Sequence, residues 1–440
     1  MFQTLGSLLH SEPEWKFGRK IMKVSLIKKF WGGLEKFGLE HDDFPTMMGN
    51  VAILLRILTI NIYKRRTKRI SLIWYILTVA AGGCYFYVYI FSMMWQVFIH
   101  YPRLNNFAGA AVALTLGTCT VTCITKFVFM KMYANDIKET IDKFLQCDEK
   151  VALDTRFAKN LRIKLRIVKK RAIIIWVSLV SDGVIYLLIP MVLPGRHVSE
   201  DLYIIYGLEP MLESPNYEIV TFLTNTSIGF AVYTMVNVAV YVIVVVGYNE
   251  SQIHALSEEL SHLWSDSQNF YNALKHTIHD KIHAIYIKEK IVNEFIRIRL
   301  RDIVKFHIAN INLFHELDHE FRNTLAVEYS IMTISIIAEL LGGLQNTYLQ
   351  LPYTMVQVFM DCLAGQRLID ACNDFENSLY ACEWENFNVS NQKTVLLMLV
   401  ASQKTLMLTA GGVTKLNFNC LMIIVKSTYS MYTTLKSTLK

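Results

Sequence analysis

Charged residues are scarce in this chain of 440 residues. Asp, Glu, Lys and Arg together make up 18% of it, whereas soluble domains carry roughly 25%. Linkers rich in Pro, Gly or Ser are also missing, and no internal repeat is visible. Hydrophobic residues, in contrast, make up 53%. This composition argues against a string of soluble domains and indicates one domain that crosses a membrane several times.

The common catalytic motifs are missing too. The chain contains no G-x-S-x-G sequence, no P-loop and no G-x-G-x-x-G sequence. The stretch from His315 to His319 does match the zinc-protease pattern H-E-x-x-H, in which two His ligate Zn²⁺ and the Glu activates water. No clear third ligand follows at a familiar spacing, so a solvated helix face is the favoured interpretation and a membrane zinc enzyme is a remote alternative. We therefore expect no enzymatic activity, no metal and no other cofactor.

Stretches with few or no charges locate the membrane-spanning helices, because a helix needs roughly 20 residues to cross ~30 Å of hydrocarbon. Pro352 divides the fifth stretch from the sixth, since proline ends the preceding helix. The sixth carries Asp361, Arg367 and Asp370 and should face protein or water. The sequence predicts an all-α membrane protein with seven spans, at Ile70–Ile99, Leu104–Thr125, Ala172–Arg196, Ile219–Asn249, Tyr329 to about Pro352, about Tyr353 to Phe375, and about Val413 to Thr438.

Lys and Arg are concentrated in alternate loops, and this bias sets the orientation of the helices. Five basic residues lie between positions 64 and 69, before the first span, and seven lie between 159 and 171, before the third. We expect a cytoplasmic N-terminus and an extracellular C-terminus, the inverse of the G-protein-coupled receptors. The net charge of +7 then reflects membrane topology and not a nucleic-acid surface. None of the eight cysteines falls in an outer loop on this topology, so we expect no disulfide framework.

The chain divides into two predicted regions. Residues 1–69 form a cytoplasmic N-terminal region, in which the apolar stretch Val51–Ile62 is too short to span and is interpreted as an interfacial or re-entrant helix. Residues 70–440 form the seven-helix domain. Within it, the segments 130–171 and 250–325 are predicted to be helices that extend the spans into the cytoplasm. The second of these is amphipathic and needs a partner surface.

The last third of the chain carries a more specific pattern, in which an apolar helix, a Gly-Gly turn and a polar final helix follow one another. This order resembles the C-terminal signature of the insect odorant receptors. Its elements are Leu379-Tyr380 before Cys382 and Trp384, a helix at Gln392–Leu408, the turn Ala410-Gly411-Gly412, and Lys426-Ser427-Thr428-Tyr429-Ser430.

Two details of the resemblance narrow the interpretation. The sister gustatory receptors end in Thr-Tyr, five apolar residues and Gln-Phe, whereas here Leu435-Lys436 stands in the place of Gln-Phe. This difference favours the odorant receptors, and a gustatory-type channel of the same fold remains the alternative. The family's shared co-receptor has a longer insert before its fifth span. Because this chain lacks that insert, the resemblance implies an odorant-tuning subunit.

The resemblance implies a ligand-gated, non-selective cation channel of the plasma membrane, in the dendrite of an olfactory sensory neuron. The tuning subunit and co-receptor subunits would form a heterotetramer in the lipid bilayer, and a small volatile organic ligand would open it without a G protein. The final helix, residues 413–438, would line the pore. The pore residues expected on this basis are Thr428, Tyr432, Leu435 and Lys436.

The resemblance also implies that the ligand binds among the second, third, fourth and sixth spans, toward their outer ends. Apolar and aromatic residues there suit a small volatile ligand, although helix packing is a slightly favoured alternative for any single position. Asp182 stands apart, because an acid within a span usually points to a partner or a cavity. The predicted ligand contacts are Phe107, Ala111, Ser181, Ile185, Leu188, Phe222, Thr226, Phe230, Tyr353, Val356, Gln357 and Met360.

Overall fold

A computed structural model describes residues 37–65, 69–104, 106–275 and 284–438. The first 36 residues of the predicted N-terminal region lie outside this part. The described chain is a helical bundle, which confirms the predicted all-α class. Its helices are α1 Phe44–Ile57, α2 Leu72–Leu104, α3 Phe107–Met132, α4 Ala134–Glu149, α5 Arg156–Val192, α6 Asn216–Ser261, α7 Leu263–Leu274, α8 Ala284–Gly342, α9 Gln350–Tyr380, α10 Val389–Ser402 and α11 Phe418–Thr438, and its strands are β1 Thr409–Ala410 and β2 Thr414–Lys415.

Five of these helices, α2, α3, α5, α6 and α8, are long and apolar enough to cross a membrane. Helices α9 and α11 are less apolar, but they occupy the places predicted for the sixth and seventh spans. They contain 31 and 21 residues, which meets the length of roughly 20 residues that a span requires. Helix α2 contains two π-helical segments, at Phe86–Phe91 and Gln96–His100.

Several predicted helix boundaries are wrong, and glycines explain two of them. The helix predicted at Gln392–Leu408, for example, ends at Ser402. Helix α8 ends at Gly342 and not near Pro352, because Gly343 adopts a left-handed conformation with φ of +88°. Pro352 lies in the first turn of α9, where its missing N–H is not needed. The final helix begins at Phe418 and not at Val413. Gly411 and Gly412, with φ of +65° and +72°, turn the chain between β1 and β2 instead.

Helix α1 contains most of the short stretch predicted before the first span. It begins earlier than predicted, at Phe44, where the Asp43 side chain caps it by accepting a hydrogen bond from Thr46 N at 2.9 Å. Its apolar side is buried against the bundle, and the ring of Phe44 lies 4.0 Å from that of Tyr248 on α6. Lys131 Nζ of α3 donates to Thr59 O at 2.8 Å just beyond the helix. These contacts attach α1 to the bundle.

The two ends of the bundle differ in charge. We call the end that carries α4, α7 and α10 the basic end, because the two Lys- and Arg-rich segments adjoin it. Ion pairs tie its helices together: Arg156 at the start of α5 contacts Glu259 of α6 at 2.9 Å and Asp266 of α7 at 2.7 Å. Arg299 of α8 also contacts Glu259, at 2.5 Å. The described parts of the predicted extensions are mainly helical here, although residues 150–155 separate α4 from α5, and residues 276–283 of the second extension lie outside the described part.

The opposite end, which we call the far end, carries the loops 193–215 and 343–349. The longer loop is fixed to α2 by hydrogen bonds between tyrosine hydroxyls and main-chain carbonyls. Tyr203 donates to Val88 O at 2.7 Å, Tyr87 donates to Tyr206 O at 2.6 Å, and Tyr101 donates to Leu202 O. The loop therefore covers this end of the bundle.

Candidate functional site

A cavity lies between six helices in the half of the bundle nearer the far end. Its volume is about 90 Å³, measured as the space open to the centre of a water molecule. On that measure one water needs roughly 10–15 Å³, so the cavity has room for a small organic molecule. The wall is formed by Tyr85, Tyr89, Thr115, Leu116, Cys119, Thr120, Asp182, Gly183, Tyr186, Ile228, Ala231, Val232, Met235, Glu339, Leu349, Gln350, Tyr353 and Thr354.

Two acids stand in this mostly apolar wall. The carboxylate of Glu339 on α8 is fully buried, and its Oε1 accepts hydrogen bonds from Thr354 at 2.7 Å and Ser335 at 3.2 Å. Its Oε2 has no hydrogen-bond partner among the described residues. Asp182 on α5 likewise makes no hydrogen bond or ion pair within the described ranges. The cavity therefore offers free acceptor groups.

The loop 193–215 places a third acid just outside the wall. Gln350 donates to Glu200 at 3.0 Å and Tyr186 donates to it at 3.5 Å, and both of these partners line the cavity. Burial, with a smaller contribution from the charge of Asp201, raises the pKa of Glu200 to about 8. The carboxyl group is consequently mostly protonated at neutral pH.

The structure places the twelve predicted ligand contacts in three different settings. Tyr353 lines the cavity, and Gln357 and Tyr353 line a small adjoining one. Ala111, Phe230 and Met360 are buried in helix packing, and Thr226 and Val356 are half-buried. The remaining predicted contacts lie on the outer surface of the bundle, and they are Phe107, Ser181, Ile185, Leu188 and Phe222. As ligand contacts all twelve remain predictions.

Sequence reasoning missed most of the cavity wall, including the part that α2 and α8 contribute. On α5 it selected Ser181, Ile185 and Leu188 as contacts, none of which lines the cavity, whereas Tyr186 and the acid that it set apart, Asp182, do. Hydropathy does not distinguish the face of α5 that lines the cavity from its outer face, because lipid and an apolar ligand favour the same side chains. Glu339 could have been found, since it is the only charge between Tyr329 and Met360.

A buried ion pair lies deeper in the bundle. Lys126 Nζ of α3 is 2.5 Å from Glu328 Oε1 of α8, and the two residues are only 4% and 2% exposed. Asp361 of α9 is buried close to the same lysine. The pair joins the three helices that surround it at a point where few charges occur.

Helix α11 packs on the bundle through its first half. Phe418 stacks on Phe359 of α9, with ring centres 6.3 Å apart, and Thr428 is buried at 2% exposure. Farther along, Leu435 and Lys436 are exposed, and Lys436 Nζ donates to the hydroxyl of the half-buried Tyr432 at 2.8 Å. Of the four predicted pore residues, Thr428 therefore faces its own chain and the other three lie on a freer surface.

The stretch from His315 to His319 lies on α8, and its acids have structural partners. Glu316 contacts Lys143 of α4 at 3.0 Å. Asp318 accepts from the main-chain nitrogen of Thr409 at 2.8 Å, which fixes the hairpin before α11. The two histidines are exposed. Among the described residues no group of three His, Cys, Asp or Glu could hold a metal ion, so a zinc site gains no support.

A small, mostly apolar cavity between the helices of a bundle is the kind of site in which proteins bind small molecules. A family model described as 7tm Odorant receptor matches residues 106–429. The match covers well over half of the chain, and the chain belongs to this family. This membership confirms the resemblance seen in the sequence.

Solved structures of an insect receptor share the fold. The olfactory receptor OR5 from Machilis hrabei in complex with eugenol aligns with a TM-score of 0.66 at 12% identity, over 89% of this chain and 97% of that one. The same receptor in a second structure aligns with a TM-score of 0.67 at 11% identity, over 88% of this chain and 97% of that one. At this identity the likeness concerns the fold alone. No protein of curated function matches the chain in sequence.

Proposed function

We propose that this chain is the odorant-tuning subunit of a ligand-gated, non-selective cation channel. A small volatile molecule binds in the cavity between α2, α3, α5, α6, α8 and α9, and binding opens a pore lined by α11. The cavity is the single observation that carries the proposal, because it provides a mostly apolar site of suitable size within helices that cross the membrane. The eugenol complex of the Machilis receptor supports a small organic ligand for this fold.

In this proposal the basic end is cytoplasmic and the far end is extracellular. The bias of Lys and Arg toward the loops of the basic end supports this orientation. The loop 193–215 and its Glu200 then form the outer cover of the cavity. A tag on the C-terminus would be accessible to antibody on intact cells, and a tag on the N-terminus would not.

The channel contains co-receptor subunits beside this chain, in the plasma membrane of a sensory neuron. Exposure along α11 supports a subunit assembly, since Met422, Ile423, Tyr429 and Met431 are all more than half exposed in the single chain. The other subunits would cover part of this surface, and the ion pathway would wet the rest. Three residues of α11, Tyr432, Leu435 and Lys436, remain our pore candidates.

Current recordings test the proposal. Cells that express this chain with the co-receptor should respond to part of a panel of small volatile molecules, and cells that lack either protein should not. The response should persist in excised patches without GTP, because the chains themselves form the pore. A response that needs GTP, or the absence of any response despite surface expression of both proteins, would reject the channel.

A matched pair of tyrosines tests the cavity. Tyr353→Ala removes a ring from the wall. The ligand concentration that gives a half-maximal current should therefore rise by about tenfold. Tyr348→Ala alters a tyrosine that is 53% exposed in the neighbouring loop and should leave the response unchanged. Equal effects of the two substitutions at equal surface expression would place the ligand elsewhere.

A further inference from the structure

The charged residues in the wall of the cavity are all acids, and aromatic rings accompany them. Asp182 and Glu339 both line it, whereas no Lys, Arg or His does in the part of the chain that the structure describes. Four tyrosine rings stand in the same wall, at positions 85, 89, 186 and 353. Carboxylates and ring faces both attract cations. The wall therefore has the chemistry of a site for an ammonium group.

Among the residues that the structure describes, no cation of the chain meets this need. Lys126, a buried base on α3, lies seven positions beyond the wall residue Cys119 toward the basic end and pairs with Glu328 at 2.5 Å. Glu339 uses one oxygen to accept from Thr354 and Ser335 and leaves Oε2 without a partner. A buried acceptor without a partner costs free energy, and a donor supplied by a ligand would recover it.

We propose that the preferred ligands of this cavity are small amines, with a protonated amino group at Glu339 and Asp182 and a hydrocarbon body against the apolar wall. This inference rests on the proposed function and specifies the ligand class of the same site. The ammonium group donates to Glu339 Oε2, and the tyrosine rings contribute attraction to the cation. Neutral odorants of the same shape fill the cavity without satisfying the acids, so they bind more weakly.

The test compares short primary alkylamines with the alcohols that have the same carbon skeletons, on cells that express the chain and the co-receptor. Amines should open the channel at concentrations at least about tenfold lower than the matched alcohols, because a hydrogen bond between charged groups is roughly twice as strong as one between neutral groups. Glu339→Gln keeps the size of the side chain and removes its charge. It should abolish most of this preference, measured within the same variant as the ratio of the amine and alcohol concentrations that open the channel.

Two further variants keep the test decisive. Asp182→Asn should reduce the preference for amines even if Glu339→Gln fails to reach the cell surface. Glu213→Gln alters an exposed glutamate in the loop 193–215 and serves as the matched control, with an unchanged preference. Labelling of surface protein accompanies each recording.

The outcomes separate the two proposals. Activation by neutral odorants with no preference for amines, or a preference that survives both acid substitutions, would overturn the amine inference and leave the channel intact. The absence of current with amines and with the full neutral panel, at normal surface expression, would reject the proposed channel itself.

Discussion

Two glutamates on the same helix are buried in different ways. Glu328 and Glu339 lie about three turns apart on α8, and both are at most 2% exposed. Glu328 contacts Lys126 at 2.5 Å, whereas Glu339 has no cationic partner within the described ranges and faces the cavity. The first acid is part of a link between helices. The second lines the cavity and leaves one oxygen without a partner among the described residues.

The burial of α6 also differs between the half of the bundle that contains Glu328 and the half that contains Glu339. Helix α6 is almost entirely buried between Thr234 and Ile253, on the side toward the basic end. The part of α6 nearer the far end lines the cavity and contains exposed positions such as Gly229. The bundle therefore combines a half in which α6 is closely packed with a half that contains the cavity.

Loss of the ion pair between Lys126 and Glu328 should have the largest effect on the yield of folded receptor. Lys126→Met leaves Glu328 and the nearby Asp361 without their cation, and breaking a buried pair costs about 3–5 kcal/mol. We expect little folded receptor at the cell surface, measured by surface labelling and by fluorescence-detected gel filtration. Adding Glu328→Leu to this variant should restore part of the yield. Normal yield of the single variant would remove the contrast between the two acids.

Glycines on α6 provide the next test. A Cβ at Gly247 would lie 2.3 Å from Val168 Cγ1 of α5, whereas a Cβ at Gly229 would have nothing within 4 Å. Gly247→Ala should therefore lower stability by about 1–3 kcal/mol, because valine is stiff and the backbone must move. Gly229→Ala should be neutral or slightly stabilising. Thermal unfolding of the purified receptor measures both, and similar melting temperatures for the two variants would contradict the packing difference.

The sequence predicts the long helices well and the site poorly, for physical reasons. Runs with few or no charges identify α2, α3, α5 and α6 because burial of charge in lipid is costly. The ends of α8 and α11 depend on left-handed glycines, and apolar content does not report these. The position of the cavity depends on which face of each helix turns inward. The sequence does not predict this face, because both faces carry apolar residues. Glu339 and Asp182 are the exceptions, because an acid within a span is itself a signal.

The third effect concerns Glu200 in the loop 193–215, which should make the stability depend on pH. Glu200 has a folded-state pKa of about 8, above its usual value near 4.5, because burial opposes its charge. The folded state therefore binds more protons than the unfolded state, and this group lowers stability as pH rises from about 5 to about 8. The melting temperature should fall over that range in the parent chain more than in Glu200→Gln. Parallel curves for the two proteins would show that Glu200 titrates normally.

Substitution of Glu339 in the cavity wall should have the smallest effect on stability. Glu339→Gln retains an oxygen that can accept from Thr354 and Ser335, and its new amide group occupies the position of the unpartnered Oε2. Since no ion pair is lost, the ligand-free stability should change by less than about 1 kcal/mol. Thermal unfolding without ligand measures this directly, beside Lys126→Met as the variant that loses its partner. A loss as large as that of Lys126→Met would show that Glu339 holds the fold together, and the contrast between a structural acid and a ligand-facing acid on α8 would disappear.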